Sequence, residues 1–386
     1  MKKFLDCISI VGATPSKFHG TKKYVSTGAV ATTEIDESEV VEVTYEDRPS
    51  RANLSAEAGD ILFAKMQGTR KTLLLDSETE KNIYSTGFYA VRANPEVITT
   101  ECLYYLIDSE LFLAQKDKNC SGATQKAITN GGMAKIEISV PALSEQGILV
   151  DKLKHLTQLI ADKKKQLNLF DEIIKSRFIE MFGDPNSNEK GWTVSTLGEY
   201  MTLLTDFSAN GSYELLDSNV VMYDEPNYAV MVRTTDLEAG NLTDGVKYID
   251  QTAYELLSKS KLYGGELIMN KIGSAGKIYI MPQIDKPASL GRNAFMFRFD
   301  DRINMFYLYA LLSSDYGIKE IQQYVRGAVT KTITKESTRS IRVIVPPIEL
   351  QEQYATFVEQ VDKSKFAVQQ ALDKAQLLFD SLMQKY

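Results

Sequence analysis

Histidine, tryptophan and cysteine are nearly missing from this sequence, whose 386 residues include two histidines, one tryptophan and three cysteines. Cys7, Cys102 and Cys120 lie far apart without CxxC spacing, and an odd number cannot pair fully within one chain. A disulfide framework and a zinc site are therefore excluded, and reduced thiols are expected. His19 sits in a polar stretch and His155 beside an apolar repeat, so neither joins a metal-ligand or nucleophile–base pattern. No run approaches the roughly 18 apolar residues that a membrane-spanning helix needs. The segment Met1–Val11 imitates a secretion signal, but Asp6 divides its apolar stretch and no small-residue cleavage pattern follows. A cytoplasmic protein with no membrane partner is expected.

Catalytic signatures are missing as well. Gly273-Ser274-Ala275-Gly276-Lys277 lacks the GxxxxGK[ST] spacing of a phosphate loop, because Lys271 stands five residues before Gly276. Asp184-Pro185-Asn186-Ser187 approaches the Asn/Asp-Pro-Pro-aromatic element that holds a flipped base, but lacks the second proline and the aromatic. No carboxylate cluster with a lysine stands out for a Mg-dependent nuclease or ATPase. The expectation is a non-catalytic chain with no cofactor or metal of its own.

What is present is a sequence written twice. Gly59-Asp60-Ile61-Leu62-Phe63-Ala64-Lys65-Met66 lines up with Gly265-Glu266-Leu267-Ile268-Met269-Asn270-Lys271-Ile272 at an offset of 206. Gly122-Ala123-Thr124-Gln125-Lys126-Ala127-Ile128-Thr129 lines up with Gly327-Ala328-Val329-Thr330-Lys331-Thr332-Ile333-Thr334 at 205. Matched blocks in one order at nearly one offset indicate a tandem duplication. Within each copy, short β-branched and aromatic runs (Ile61–Phe63, Phe88–Val91, Ile136–Val140) flank a helical stretch, Glu101–Phe112.

Each copy ends in a heptad. Leu153, Ile160, Leu167, Ile174 and Met181 recur every seven residues, with Leu149, Leu156 and Phe170 at the other seam position. Tyr354, Val361, Val368, Ala375 and Leu382, with Val358, Leu372, Phe379 and Tyr386, repeat that register, and Lys163, Arg177 and Lys365 interrupt it. A sustained seven-residue repeat is a coiled-coil seam. Helices of about 36 residues, about 54 Å long, would hold two domains at opposite ends if they packed antiparallel. Two helices lying separately on their own domains are the alternative.

The fold class expected is α+β, with two duplicated α/β domains separated by two long helices forming an antiparallel coiled coil. Residues 1–143 form the first domain, 144–183 the central helix, 184–347 a linker and the second domain, and 348–386 the C-terminal helix. Trp192 reads as an anchor at a domain edge rather than a base-stacking ring.

The phrases Phe182-Gly183-Asp184-Pro185, Lys190-Gly191-Trp192, Leu197-Gly198-Glu199, Pro141-Ala142-Leu143-Ser144-Glu145-Gln146 and Pro346-Pro347-Ile348, in a duplicated frame, resemble one family. The chain is similar throughout to the specificity subunit of type I restriction-modification systems. Two departures stand out: the first copy has no counterpart of the lead-in Trp192–Glu199, and Gln351-Glu352-Gln353 rearranges Glu145-Gln146. The resemblance implies two target recognition domains that each read half of a bipartite, gapped site in double-stranded DNA. It also implies docking to two modification (methyltransferase) subunits and to restriction (translocase/endonuclease) subunits. S-adenosylmethionine, ATP and Mg would be carried by those partners. A related type II recognition subunit, or a scaffold that holds proteins rather than DNA, are the alternatives. Forty-four Lys and Arg against 51 Asp and Glu, a net charge of −7, lower the expectation of a polyanion partner without closing it, because a binding face can be locally basic.

Polar turns at the matched positions are the candidate DNA contacts. In the first copy these are Lys65, Gln67, Gly68, Thr69, Arg70 and Lys71, with Gly122, Thr124, Gln125 and Lys126. In the second they are Lys271, Gly273, Ser274 and Lys277, with Gly327, Thr330 and Lys331, to which Arg233, Thr234, Arg292 and Asn293 are added. Cations and amides bind guanine and adenine edges, but they also bind phosphate. Gln67 and Arg70 are expected to influence the preferred sequence.

Overall fold

A computed structural model describes residues 1–123 and 125–384. Tyr386, a predicted seam residue, lies outside the described residues, as does the candidate contact Thr124. The chain divides into two compact units, Met1–Gln166 with Val368–Tyr386, and Leu167–Ala367. Each unit therefore takes part of both long helices, Leu143–Phe182 and Ile348–Met383.

The first unit is built on two four-stranded sheets. One runs in the order Ile8–Val11, Phe88–Ala93, Ile61–Ala64, Thr72–Leu74, all antiparallel. The other runs Val41–Val43, Lys22–Val25, Ile83–Ser85, Ala52–Leu54, with a parallel central pair. Ile61–Ala64 is buried along its whole length because both its faces are covered. Phe63 packs with Phe4 and Phe112 on one side, while Leu62 faces Val25, Tyr84 and Phe88 on the other. The predicted helix Glu101–Phe112 is two helices, Thr100–Ile107 and Glu110–Lys118. Ser109 breaks it: its hydroxyl accepts from the Phe112 amide at 3.1 Å and starts a new helix.

The second unit repeats this topology strand for strand. Its sheets run Met201–Asp206, Ala294–Phe299, Leu267–Asn270, Ile278–Ile280, and Lys247–Ile249, Ala229–Val232, Ala288–Leu290, Lys261–Leu262. The parallel pair recurs between Ala229–Val232 and Ala288–Leu290. One predicted departure from symmetry is smaller than expected. Thr193–Thr196 pairs with Arg342–Val345, and in the first unit Lys2–Lys3 pairs with Glu137–Ile138 in the same place. The turns that follow, Leu197–Glu199 and Phe4–Asp6, also correspond, so a shortened lead-in does exist. Sequence comparison misses it because the offset there is 193, not 205; extra residues between Asp206 and Ala229 make up the difference.

The second departure disappears. Gln146 and Gln351 are both fully buried and make the same bonds. Gln146 accepts from the Thr99 amide at 2.7 Å and donates to the Pro141 carbonyl at 3.0 Å. Gln351 accepts from the Asn304 amide at 2.8 Å and donates to the Pro346 carbonyl at 2.7 Å. Each glutamine ties the first turn of a long helix to the start of a domain helix, which no apolar side chain could do without leaving buried backbone groups unpaired.

The long helices pack on each other antiparallel within each unit. In the first, Leu156 and Ile160 meet Leu372, Ala375 and Phe379. In the second, Phe178 and Phe182 enclose Tyr354 and Tyr307, with ring centroids 4.7–5.7 Å apart. Lys365, an interruption of the heptad, bonds Asp171 of the facing helix at 2.6 Å. Phe182 ends the first helix, with Gly183 at φ 76° behind it. The Trp192 indole donates to the Phe182 carbonyl at 2.8 Å, and the Lys190 ammonium donates to the carbonyls of Glu180 and Met181 at 3.0 and 2.9 Å. Trp192 is a half-buried anchor that caps a helix.

Candidate nucleic-acid interface

In each unit the two matched blocks come together. The residues after Ile61–Ala64 bridge the second block, Met66 opposite Ala127, with the Gln67 amide donating to the Lys126 carbonyl at 2.9 Å. In the second unit Ile272 bridges Thr332, and the Gly273 amide donates to the Lys331 carbonyl at 2.9 Å. The second block is itself a tight turn, closed by Ser121–Ala127 in one unit and Arg326–Thr332 in the other. Gly122 (φ 138°) and Gly327 (φ 104°) start these turns where a Cβ would fall 2.4 and 2.1 Å from the carbonyls of Gln125 and Thr330.

Beside this junction, at the C-terminal ends of the parallel strands, each unit has a cleft. That of the first, about 470 Å³, is lined by Lys65, Thr69, Lys71, Gln125 and Lys126, together with Arg51, Thr27 and Thr86. Among the described residues that line it, four are cations and none is a carboxylate. Lys65 donates to the Thr86 carbonyl at 2.9 Å and lies 4.3 Å from the Tyr89 ring; burial pulls its pKa down. Lys71 donates to the Thr27 carbonyl at 2.6 Å. From behind, the buried Lys116 donates to the carbonyls of Met66 and Thr69 at 2.9 and 2.7 Å, which fixes the turn between them.

The remaining first-unit candidates point elsewhere. The Gln67 amide group donates to the Asp117 carbonyl at 3.3 Å and the Gly68 amide to the Asp117 carboxylate at 2.9 Å. Arg70 is turned onto Asp108 through two bonds of 3.1 and 2.9 Å, and onto Glu110 at 2.8 Å. Asp108 lies in an apolar setting, and burial pushes its carboxyl up in spite of the guanidinium. Arg70→Ala is therefore expected to cost about 2–3 kcal/mol of stability, less than a fully buried pair because Arg70 is one-third exposed. It should leave the preferred DNA sequence unchanged. Thermal denaturation and motif mapping of the variant check both halves of that expectation.

The second cleft, about 360 Å³, is lined by Arg233, Thr234, Arg292 and Asn293 against an apolar wall that includes Val220, Met222 and Met231. Arg233 is held by Asp236 at 2.5–3.1 Å, and Arg292 by Asp217 at 3.1 Å. The second of these pairs is surface-exposed, so a phosphate or a guanine can replace its carboxylate at little expense. Lys271 lies next to this cleft, its amide donating to the Asn293 carbonyl at 2.9 Å. Lys277 turns away to Glu238 at 2.6 Å. Ser274, Gly327, Thr330 and Lys331 are exposed on the turns.

Sequence reasoning misses Thr27, Arg51 and Thr86. The repeat points to two of them, since Thr27 and Thr86 stand 206 residues before Arg233 and Arg292.

Asp206 restrains two cations at once, accepting from Lys271 at 2.9 Å and Lys335 at 2.8 Å. Burial raises its pKa, but the two lysines outweigh that and hold it below the ordinary carboxylate range. Its contribution to stability is therefore present above about pH 4 and is lost as pH falls through the lowered value. Asp206→Asn is expected to flatten that acid limb of unfolding. It should also free both lysines, so that DNA affinity falls more steeply with salt, the logarithmic slope growing by up to about 2.

A family model described as the type I restriction modification DNA specificity domain matches residues 10–169 and again residues 189–376. The chain belongs to this family. It is the specificity subunit of a type I restriction-modification system, a non-catalytic component of that complex. The MjaIX specificity subunit of Methanocaldococcus jannaschii is 22% identical over 331 residues, covering 78% of this chain and 74% of that one. The MjaVIII specificity subunit of the same organism is 22% identical over 295 residues, covering 73% and 68%. Among solved structures, the type I restriction-modification S subunit from M. genitalium aligns with a TM-score of 0.58 at 13% identity, covering 100% of this chain and 94% of that one. A chain from a study of complex assembly and conformational transition of the type I R-M system aligns at 0.54 and 19% identity, covering 98% and 97%. These likenesses extend to the α+β fold with its two sheet-containing domains and paired long helices. No helix among the described residues is long and apolar enough to cross a membrane.

Proposed function

We propose that this specificity subunit reads a bipartite, gapped sequence in double-stranded DNA, one half through the cleft of each unit. Residues 1–143 and 184–347 serve as the two target recognition domains. The observation that carries the reading is the repetition of one backbone frame around two differently lined clefts. Thr27 and Thr86 on one frame are replaced by Arg233 and Arg292 on the other, and a wall of Val220 and Met222 has no counterpart among the residues lining the first cleft. Different donor and apolar groups on a shared frame suit two different half-sites.

The long helices dock two modification subunits, to which restriction subunits are added. Apolar side chains left in water support this: Leu159 and Leu377 in the first unit, and Ile173 and Phe366 in the second, the last 65% exposed. S-adenosylmethionine, ATP and Mg belong to those partners. The Gly273–Lys277 turn offers no phosphate cradle, because Gly276 packs on Ile321 and Lys277 is bound to Glu238. The complex works in the cytoplasm, where its DNA is.

Affinity for duplex DNA, measured from about 50 to 200 mM salt, tests the reading against a protein-only scaffold. A steep linear fall of log K with log salt is expected from phosphate contacts; salt-independent or absent binding would contradict it.

A further inference from the structure

The turn Arg326–Thr332 ends in a side chain that folding does not account for. Val329 is 98% exposed, more than any other large apolar residue among the described residues. The turn that carries it is held on both sides. Arg326 and Thr332 exchange backbone bonds of 2.9 and 2.7 Å, Gly327 cannot accept a Cβ, and the Gly273–Lys331 and Ile333–Lys271 bonds (2.9 and 3.1 Å) fasten the base to the end of Leu267–Asn270. At that base lies Ile272, 43% exposed. Its counterpart in the first unit, Met66, is also exposed, although the surrounding side chains have diverged. An apolar side chain is thus kept in water at one place in both units, and in the second unit the exposed cations Arg326 and Lys331 stand on the same turn.

We propose that Val329, backed by Ile272, reads a thymine in the half-site of the second unit by contact with its 5-methyl group. This rests on the DNA-reading function proposed above. The thymine methyl is the one aliphatic group on a base-pair edge in the major groove, where the patterns of the four pairs differ. A wedge driven between base steps is the other apolar mode, and it uses Phe, Leu, Ile, Met or Pro rather than valine. A valine on a narrow turn with cations at its base suits an edge contact, since the cations meet phosphates on either side of the groove.

The test uses the chain in complex with its modification subunits and the duplex target found by methylation mapping. Each thymine of the half-site is replaced singly by deoxyuridine, which lacks only the methyl. For the native chain one such replacement should weaken binding about five- to tenfold, the low end for a lost methyl contact. Val329→Ser, a surface change compatible with folding, should weaken binding to the thymine duplex by the same factor and be indifferent to the replacement. The proposal is overturned if the native complex tolerates deoxyuridine everywhere, if Val329→Ser remains sensitive to it, or if that variant loses affinity equally for all duplexes. Absence of any two-part motif would instead overturn the DNA-reading function on which it rests.

Discussion

Tyr354→Ala is expected to destabilise the second unit by about 3–5 kcal/mol, the usual range for deleting a buried aromatic ring. Tyr354 is 0% exposed and stands edge-on to both Phe178 and Phe182, so its removal leaves a hole where the two long helices and the domain meet. Its hydroxyl is buried and meets no partner among the described residues, and burial raises its pKa accordingly. Tyr354→Phe should therefore be neutral or stabilising, because an unpaired buried hydroxyl costs about 1–3 kcal/mol and the ring is kept. Chemical denaturation of the two variants separates the accounts: a similar loss in both would mean that the hydroxyl, not the ring, holds the cluster.

Gly327→Ala and Gly122→Ala are expected to act on recognition rather than on folding. Both glycines have positive φ, and the added methyl would meet a backbone carbonyl oxygen at 2.1 or 2.4 Å, so the turn must open. The strain of such a conformation is about 1–3 kcal/mol, borne by an exposed turn and not by the core. Losing two base contacts at about 1–3 kcal/mol each would reduce methylation of the intact target by about 30-fold or more. Gly68→Ala and Gly273→Ala are the controls. They also have positive φ (71° and 81°), but nothing lies within 4 Å of the added Cβ. Equal effects in all four variants would show that backbone strain alone decides the outcome and that the closed turns have no special part.

The frame was legible in the sequence because it is periodic. Heptads report which face of a helix is buried, and Leu156, Ile160, Tyr354 and Ala375 are buried as their spacing predicts. The shared offset exposed the duplication, but the pairing of the two turn blocks within each unit is visible only in the structure. Side-chain direction was less legible. Arg70 and Lys277 look like readers in sequence, but Asp108, Glu110 and Glu238 claim them from segments 38–40 residues away. No local pattern announces such partners. The shortened lead-in at Lys2–Asp6 was hidden by the extra segment after Asp206, which moves the offset. Ser109 broke a helix that apolar spacing alone would have continued.

Mapping methylated bases in cells that carry the modification subunits with the native chain, Gln125→Ala or Asn293→Ala tests the central claim most directly. Gln125 lines the first cleft and Asn293 the second. The native chain should yield one two-part motif with a gap, Gln125→Ala a motif relaxed in one half only, and Asn293→Ala a motif relaxed in the other half only. Relaxation of the same half by both variants, or an ungapped motif, would contradict a subunit that reads two half-sites with two separate clefts.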